Sequence, residues 1–303
     1  NYKTNAVESI DLPRTTMPDG PAGFTAFMGD PSVYGTCFYA SECLIGATYN
    51  KALARDMGIM IGVESIFGNV AGDGRPYSGW YAPAINIHRS QFGGRNWEYY
   101  SEDPFHSGIM AANVISGAQS KGVACFVKHF ALNEQETCRD ANGVLTWASE
   151  QAIREIYLKP FELAVKEGGT IAIMSSFNRI GTTWAGGSYA LLTEVLRNEW
   201  GFEGSVITDY NLSDYMLADQ MIRAGGDLNL TQDKQPTTAN ASATQIAMMR
   251  KAVKNIMYTV ARSNAMNGHG EGVVWGIGLP TWVVIVIWVD IAIAAALAVW
   301  GVF

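Results

Sequence analysis

Gly204-Ser205-Val206-Ile207-Thr208-Asp209-Tyr210 is the stretch on which the fold turns. Val206 and Ile207 read as a short buried strand entered through glycine, and Asp209 falls where that strand ends. A carboxylate in that place either caps the next helix, expected over 213–224, or faces a substrate. Repetition along the chain weighs for the second. The apolar run 82–87 is followed by His88-Arg89, the strand expected over 122–127 by Lys128-His129, and that over 170–174 by Ser175-Ser176, with Asn178 beyond. Between and after these runs, helical spacing and caps predict helices over 41–58, 104–121, 149–168, 189–200 and 244–262, with a weak strand over 227–230. Strands alternating with helices specify an α/β fold with a mainly parallel sheet, open or closed into a barrel. All strand C-termini then lie at one mouth, and the polar groups converge there.

Composition bounds the chemistry. The 303 residues are 48% hydrophobic with a net charge of −7, and no run of Lys or Arg offers a basic patch, so nucleic acid is not an expected partner. The four cysteines show no metal spacing; Cys125 reads as a buried thiol, and a Cys37–Cys43 bridge is one option. No GxGxxG follows a strand, no phosphate loop is present, and His88, His129 and the carboxylates lack zinc spacing, so neither cofactor nor metal is expected. A carboxylate among Lys, Arg and His suits a substrate covered in hydroxyls, because charged groups give such oxygens strong, directional hydrogen bonds. The polar opening 1–14 has no apolar signal-peptide core, and without an initiating Met the chain is expected to be a piece of something longer.

Six ordered motifs carry a resemblance. They are Met17-Pro18-Asp19-Gly20-Pro21-Ala22-Gly23; Ile85-Asn86-Ile87-His88-Arg89; the run Gly94-Arg95-Asn96-Trp97-Glu98-Tyr99-Tyr100-Ser101-Glu102-Asp103-Pro104; Val127-Lys128-His129-Phe130; Met174-Ser175-Ser176-Phe177-Asn178; and Glu199-Trp200-Gly201-Phe202 continuing to Asp209. In order and spacing the chain resembles the glycoside hydrolase family 3 β-glucosidases. The resemblance implies a (β/α)8 TIM-type barrel, with the option that it is incomplete at its N-terminus, and a retaining mechanism through a covalent glycosyl intermediate. By the same resemblance Asp209 would be the nucleophile, with Lys128 and Arg95 as its neighbouring cations. Asp19, Arg95, Lys128, His129 and Arg139 would hold the sugar hydroxyls, and Met174 and Tyr210 would line the subsite. Asp19, where xylosidase-like members tend to carry Glu, favours a hexose such as glucose. The loop Phe130-Ala131-Leu132-Asn133-Glu134-Gln135-Glu136 disfavours the glucosaminidase branch.

The chain departs from the family's pattern in its acid/base. The family places that Glu on a separate αβα domain, nothing like which is present, and Glu98, Glu134 and Glu136 have no precedent in the role. The tail offers an explanation. After a linker at 267–272, the segment 273–303 carries Asp290 as its sole charge. Its last 24 residues, 280–303, would reach about 36 Å as a helix, enough to span a bilayer. Trp282 and Trp300 would serve as interfacial anchors. The expectation is a catalytic barrel over 1–266 tied to a cell membrane by a transmembrane helix over 273–303, with the extracytoplasmic side preferred and the αβα domain upstream in permuted order. Two other classes stay open. One is a Schiff-base enzyme using Lys128; the other is a non-catalytic, membrane-tethered sugar-binding remnant.

Overall fold

The computed structural model describes residues 3–25, 36–67, 75–140, 143–231, 236, 241–266, 279 and 281–301. The linker expected at 267–272 lies outside them. Four parallel strands form the central sheet: β1 (Gly79–Trp80), β2 (Ala124–Phe130), β4 (Ala172–Ser175) and β7 (Ser205–Ile207), in the order β1-β2-β4-β7. Single parallel bridges extend it on both flanks, Asp19 to Tyr81 on one side and Ile207 to Leu228 on the other. The eight strands expected are therefore not all present as strands among the described residues; the flanking segments pair through isolated bridges. A second small sheet, β3 (Leu145–Thr146), β5 (Arg179–Ile180) and β6 (Thr183–Trp184), lies in the loops that follow β2 and β4.

Alternation along the strands divides the molecule. Ala124 and Phe126, Ala172 and Met174, and Ile207 pack with Met17, Tyr81 and Leu230 as one interior cluster. The opposite face, including Cys125, Val127, Ile173 and Val206, packs under the helices against residues such as Ile61, Val114, Phe161 and Leu192. Continuing each interior face by two residues reaches Lys128 from Phe126 and Asp209 from Ile207, so strand periodicity delivers both side chains to the C-terminal mouth. Gly204 lets β7 enter beside β4, since a Cβ there would stand 1.9 Å from the Ile171 carbonyl oxygen. Helix α2 (Lys51–Phe67) and helix α3 (Pro104–Gln119) approach closely for the same reason, as a Cβ on Gly58 would meet the Val114 carbonyl oxygen at 2.1 Å.

Several elements differ from the sequence reading. The helix expected over 41–58 is two, α1 (Glu42–Ala47) and α2, because Tyr49 sits in the left-handed region at φ 51 and Asn50 restarts the helix by accepting from the Leu53 N–H. The run 82–87 is not a continuous strand: Pro83 has no N–H to give, and only the Pro83 carbonyl and the Ile85 N–H pair with Lys128. Strand β2 runs on through Phe130, so Lys128 and His129 belong to the strand rather than to the loop after it. The stretch 149–168 is helical through α4 (Glu150–Ala152) and α5 (Lys159–Lys166), whereas the helix expected from 213 begins only at α6 (Ala218–Ala224), so Asp209 does not cap it. Ser213 and Tyr215 are engaged elsewhere: the Ser213 hydroxyl donates to the Asp140 carbonyl, and the Tyr215 hydroxyl lies 2.9 Å from the Arg139 carbonyl and 2.8 Å from that of Phe177. All four cysteines are free, which overturns the Cys37–Cys43 bridge; Cys125 is buried as expected.

Two longer helices complete the chain. Helix α7 (Ala243–Ala261) is capped by Ser242 and anchors β7 through Asn255, whose amide donates to Asp227. Helix α8 (Thr281–Trp300) has a mean hydropathy of 2.6 and buries none of its length against the rest of the protein.

Candidate active site

A cavity of about 310 Å³ opens at the C-terminal mouth of the sheet. Asp19, Arg95, Lys128, His129, Arg139, Met174, Asp209 and Tyr210 all line it, the eight residues singled out from the sequence. His88, Arg89, Ser175, Ser176 and Asn178 are not among its walls. His88 Nε2 is bound to the Tyr99 carbonyl, and the Ser176 hydroxyl to that of Ala131, so these strand-end groups fasten loops instead. Tyr81, Glu136, Asp140, Phe177, Leu212 and Leu230 line the cavity without having been singled out. Phe177 lies three residues past Met174 and beyond the end of β4, so strand alternation does not point to it, and Glu136 and Asp140 come from an irregular loop that strand patterning does not reach.

The charged wall is layered. Glu98, almost fully buried, receives Arg95 through Nε at 2.5 Å and Nη2 at 2.6 Å, and Lys128 Nζ at 3.3 Å. Lys128 Nζ also donates to Asp19 Oδ1 at 2.7 Å. Burial alone would lower the Lys128 pKa, but Asp19 and Glu98 outweigh it and hold the ammonium above its ordinary value. The cations expected beside Asp209 are thus committed elsewhere. Arg139 reaches Asp209 instead, Nη1 to Oδ2 at 3.0 Å, while its Nε pairs with Glu136 Oε2 at 2.8 Å and its guanidinium lies over the Phe177 ring at 4.5 Å. The other carboxylate oxygen of Asp209, Oδ1, accepts from the Tyr210 N–H at 2.7 Å.

His129 is neutral in this setting. Burial, then Arg95, Lys128 and Arg139, push its pKa well below the ordinary 6.5. Its Nε2 faces Arg95 Nη1 at 2.9 Å and therefore accepts, which places the proton on Nδ1, toward Asn86 Oδ1 at 3.4 Å. Asn86 also takes the His129 N–H on Oδ1 and gives its amide protons to the His129 carbonyl and to Glu134 Oε1. Glu134, buried behind this amide, has its pKa raised to about 7 by burial. No cluster of three or more His, Cys, Asp or Glu suited to a metal ion occurs among the described residues. The arrangement is a carboxylate, Asp209, held by fixed donors in a cavity that also presents Asp19, itself paired with Lys128 of the cation wall. Such a wall can hold a polyhydroxylated ring against Asp209.

Comparison with known proteins gives a concordant picture. Residues 28–266 match the family model described as glycosyl hydrolase family 3 N terminal domain. Beta-glucosidase B of Emericella nidulans is 40% identical over 232 residues, which cover 75% of this chain and 26% of that protein. A beta-glucosidase of Ruminococcus albus is 33% identical over 275 residues, covering 86% and 28% respectively. Among solved structures, beta-glucosidase 3B from Thermotoga neapolitana in complex with glucose superposes with a TM-score of 0.76 at 32% identity, over 88% of this chain and 38% of that one. The chain thus spans between a quarter and two fifths of the length of these relatives. Their likeness identifies the parallel sheet and its helices as an α/β barrel of the TIM type. By sequence, by fold and by the order of its motifs, the chain belongs to glycosyl hydrolase family 3.

Proposed function

We propose that this chain is the sugar-binding, nucleophile-bearing domain of a retaining β-glucosidase. The observation that carries the reading is the setting of Asp209: its carboxylate ends an interior strand face, lines the cavity and is oriented by Arg139 and the Tyr210 N–H. Asp209 would attack the anomeric carbon as the bond to the leaving oxygen breaks, and water would then release β-D-glucose from the glycosyl-Asp209 ester. Asp19, Arg95, Lys128, His129 and Arg139 would hold the ring hydroxyls, with Met174 and Tyr210 against its apolar faces. Retention calls for a second carboxyl about 5–5.5 Å from the nucleophile, acting first as acid and then as base. In this reading it comes from an αβα domain elsewhere in the full-length protein.

Helix α8 supports a membrane anchor. Its 20 residues are long and apolar enough to cross a bilayer, and none of its apolar window is buried against the described residues. The barrel would then stand at a cell membrane, on its extracytoplasmic face. The Schiff-base reading loses ground to the ion pairs of Lys128, which hold its amine protonated and therefore without the lone pair that attack on a carbonyl needs.

The test is labelling with a 2-deoxy-2-fluoro-glucoside bearing a good leaving group, which reacts with little help from an acid and turns over slowly. Peptide mapping of the full-length protein is expected to place the label on Asp209. Label on another carboxylate overturns the site; no label at all moves the reading to a sugar-binding remnant.

A further inference from the structure

We infer that Glu136 is a positioning residue that sets the two cavity arginines, Arg95 and Arg139, relative to Asp209 and His129. The inference rests on the reading of Asp209 and the cation wall given above. Glu136 stands between the guanidiniums as an ion-pair partner: Oε2 lies 2.8 Å from Arg139 Nε, and Oε1 lies 3.5 Å from Arg95 Nη1. Each arginine continues to a different partner. Arg139 passes on to Asp209 through Nη1, and Arg95 Nη1 faces His129 Nε2. Arg95 has its remaining donors fixed by Glu98, so its orientation is determined twice over. Arg139 has no comparable bidentate carboxylate among the described residues. Without Glu136 its guanidinium keeps the Asp209 contact and the Phe177 face but is free to swing about both.

A side chain that positions others must itself be fixed, and Glu136 is. The Asn133 amide donates to Oε1 at 2.9 Å and to the Tyr99 hydroxyl at 3.1 Å. The Glu136 N–H donates to the Gly93 carbonyl at 3.1 Å, and the turn at Gly94 is packed so closely that a Cβ there would lie 3.0 Å from the Glu136 side chain. Gly94 takes φ 95, a conformation open to glycine, so the Gly93-Gly94 pair is what lets the turn lie against Glu136. Glu136 also shares the cavity with Asp209, which raises the competing role of acid/base. Its two oxygens are already spent on two guanidiniums and an amide, which fits an acceptor that orients donors.

The experiment is the kinetics of Glu136→Gln, Glu136→Asp and Glu136→Ala in the full-length protein with 4-nitrophenyl β-D-glucoside. Glu136→Gln is expected to lower kcat/KM by about 10- to 100-fold through the loss of the charged partner of Arg139, and Glu136→Asp to recover part of it. In an Arg139→Lys background Glu136→Gln should add much less, because both changes act on one contact. Wild-type kcat and KM in Glu136→Gln would overturn the inference. Rescue of Glu136→Ala by azide would overturn it in favour of an acid/base. A readout free of turnover separates this from failure of the glucosidase reading itself. In 15N spectra the Arg139 Nε–H signal should exchange slowly in the wild type and be lost in Glu136→Gln; its survival in the variant would sink the inference even if no glucoside is cleaved.

Discussion

Arg139 Nη1 lies 3.0 Å from Asp209 Oδ2, although 70 residues of chain separate the two. The contact joins the loop after β2 to the end of β7 and closes the cavity floor on one side. If Asp209 is the nucleophile, Asp209→Asn keeps the shape of that floor and removes the attacking anion. Turnover of an aryl β-glucoside by the full-length protein should fall by at least about 10³-fold, while the melting temperature changes little. Activity within tenfold of wild type would remove Asp209 from the mechanism.

Lys128 is 3% exposed and paired with Glu98 and Asp19. Lys128→Met leaves the buried Glu98 with Arg95 alone and strips Asp19 of its cation. Removing one partner of a buried pair costs about 3–5 kcal/mol, so a loss of this order is expected in urea unfolding. Borohydride with a carbonyl-bearing sugar should trap nothing on the wild-type lysine; a reduced adduct there would revive the Schiff-base reading.

His129 makes stability depend on acid. Its pKa in the folded protein is far below 6.5, so above about pH 6.5 both folded and unfolded states hold it neutral and its contribution is complete. As pH falls below that value the unfolded chain takes up a proton that the folded one refuses, and stability drops by up to about 1.4 kcal/mol per pH unit. Replacement by Asn should flatten the acid limb of the unfolding free energy between pH 6 and pH 5. Parallel limbs in the two proteins would show that His129 already titrates in the fold.

Glu134 works in the opposite sense. Its pKa of about 7 in the folded state stands above the unfolded value, so its burial costs nothing at pH 4 and most above pH 7. Glu134→Gln should therefore gain stability relative to wild type as pH rises from 5 to 8, and level off beyond. A difference that does not change over this range would mean that Glu134 is ionised throughout.

Helix α8 carries Asp290 in the middle of an otherwise apolar 20-residue span. The full chain is expected to sediment with phosphatidylcholine vesicles and resist alkaline carbonate, and a chain lacking 281–303 to stay in the supernatant. Release of the full chain by carbonate would point to a peripheral contact in place of a span.

The site was legible in the sequence where a polar group closes an apolar run; Met174, apolar within its own run, was reached only through the resemblance. Lys128, His129 and Asp209 follow apolar runs, and the parallel sheet brings those strand ends to one mouth. Arg95, Arg139 and Asp19 became readable only through the resemblance, because each sits on a loop whose course no periodicity reports. Glu136 stayed silent for a related reason: its role lies in where two distant guanidiniums point. The helix expected from 213 failed because Ser213 and Tyr215 give their hydroxyls to carbonyls of the neighbouring loops, a tertiary demand that outweighs local propensity.

Those two hydroxyls bear on how the cavity can be altered. Ser213 and Tyr215 belong to the segment just past Asp209, and they fasten the backbone of Arg139 and Asp140. The loop after β2 is thereby keyed to the loop after β7, like a lock stitched to its own bolt. Grafting either loop alone from a relative would break the key, whereas exchanging 131–140 together with 210–217 preserves it. Variation in the two segments should be inherited as a pair, and a designer seeking a new sugar preference would treat them as a single cassette.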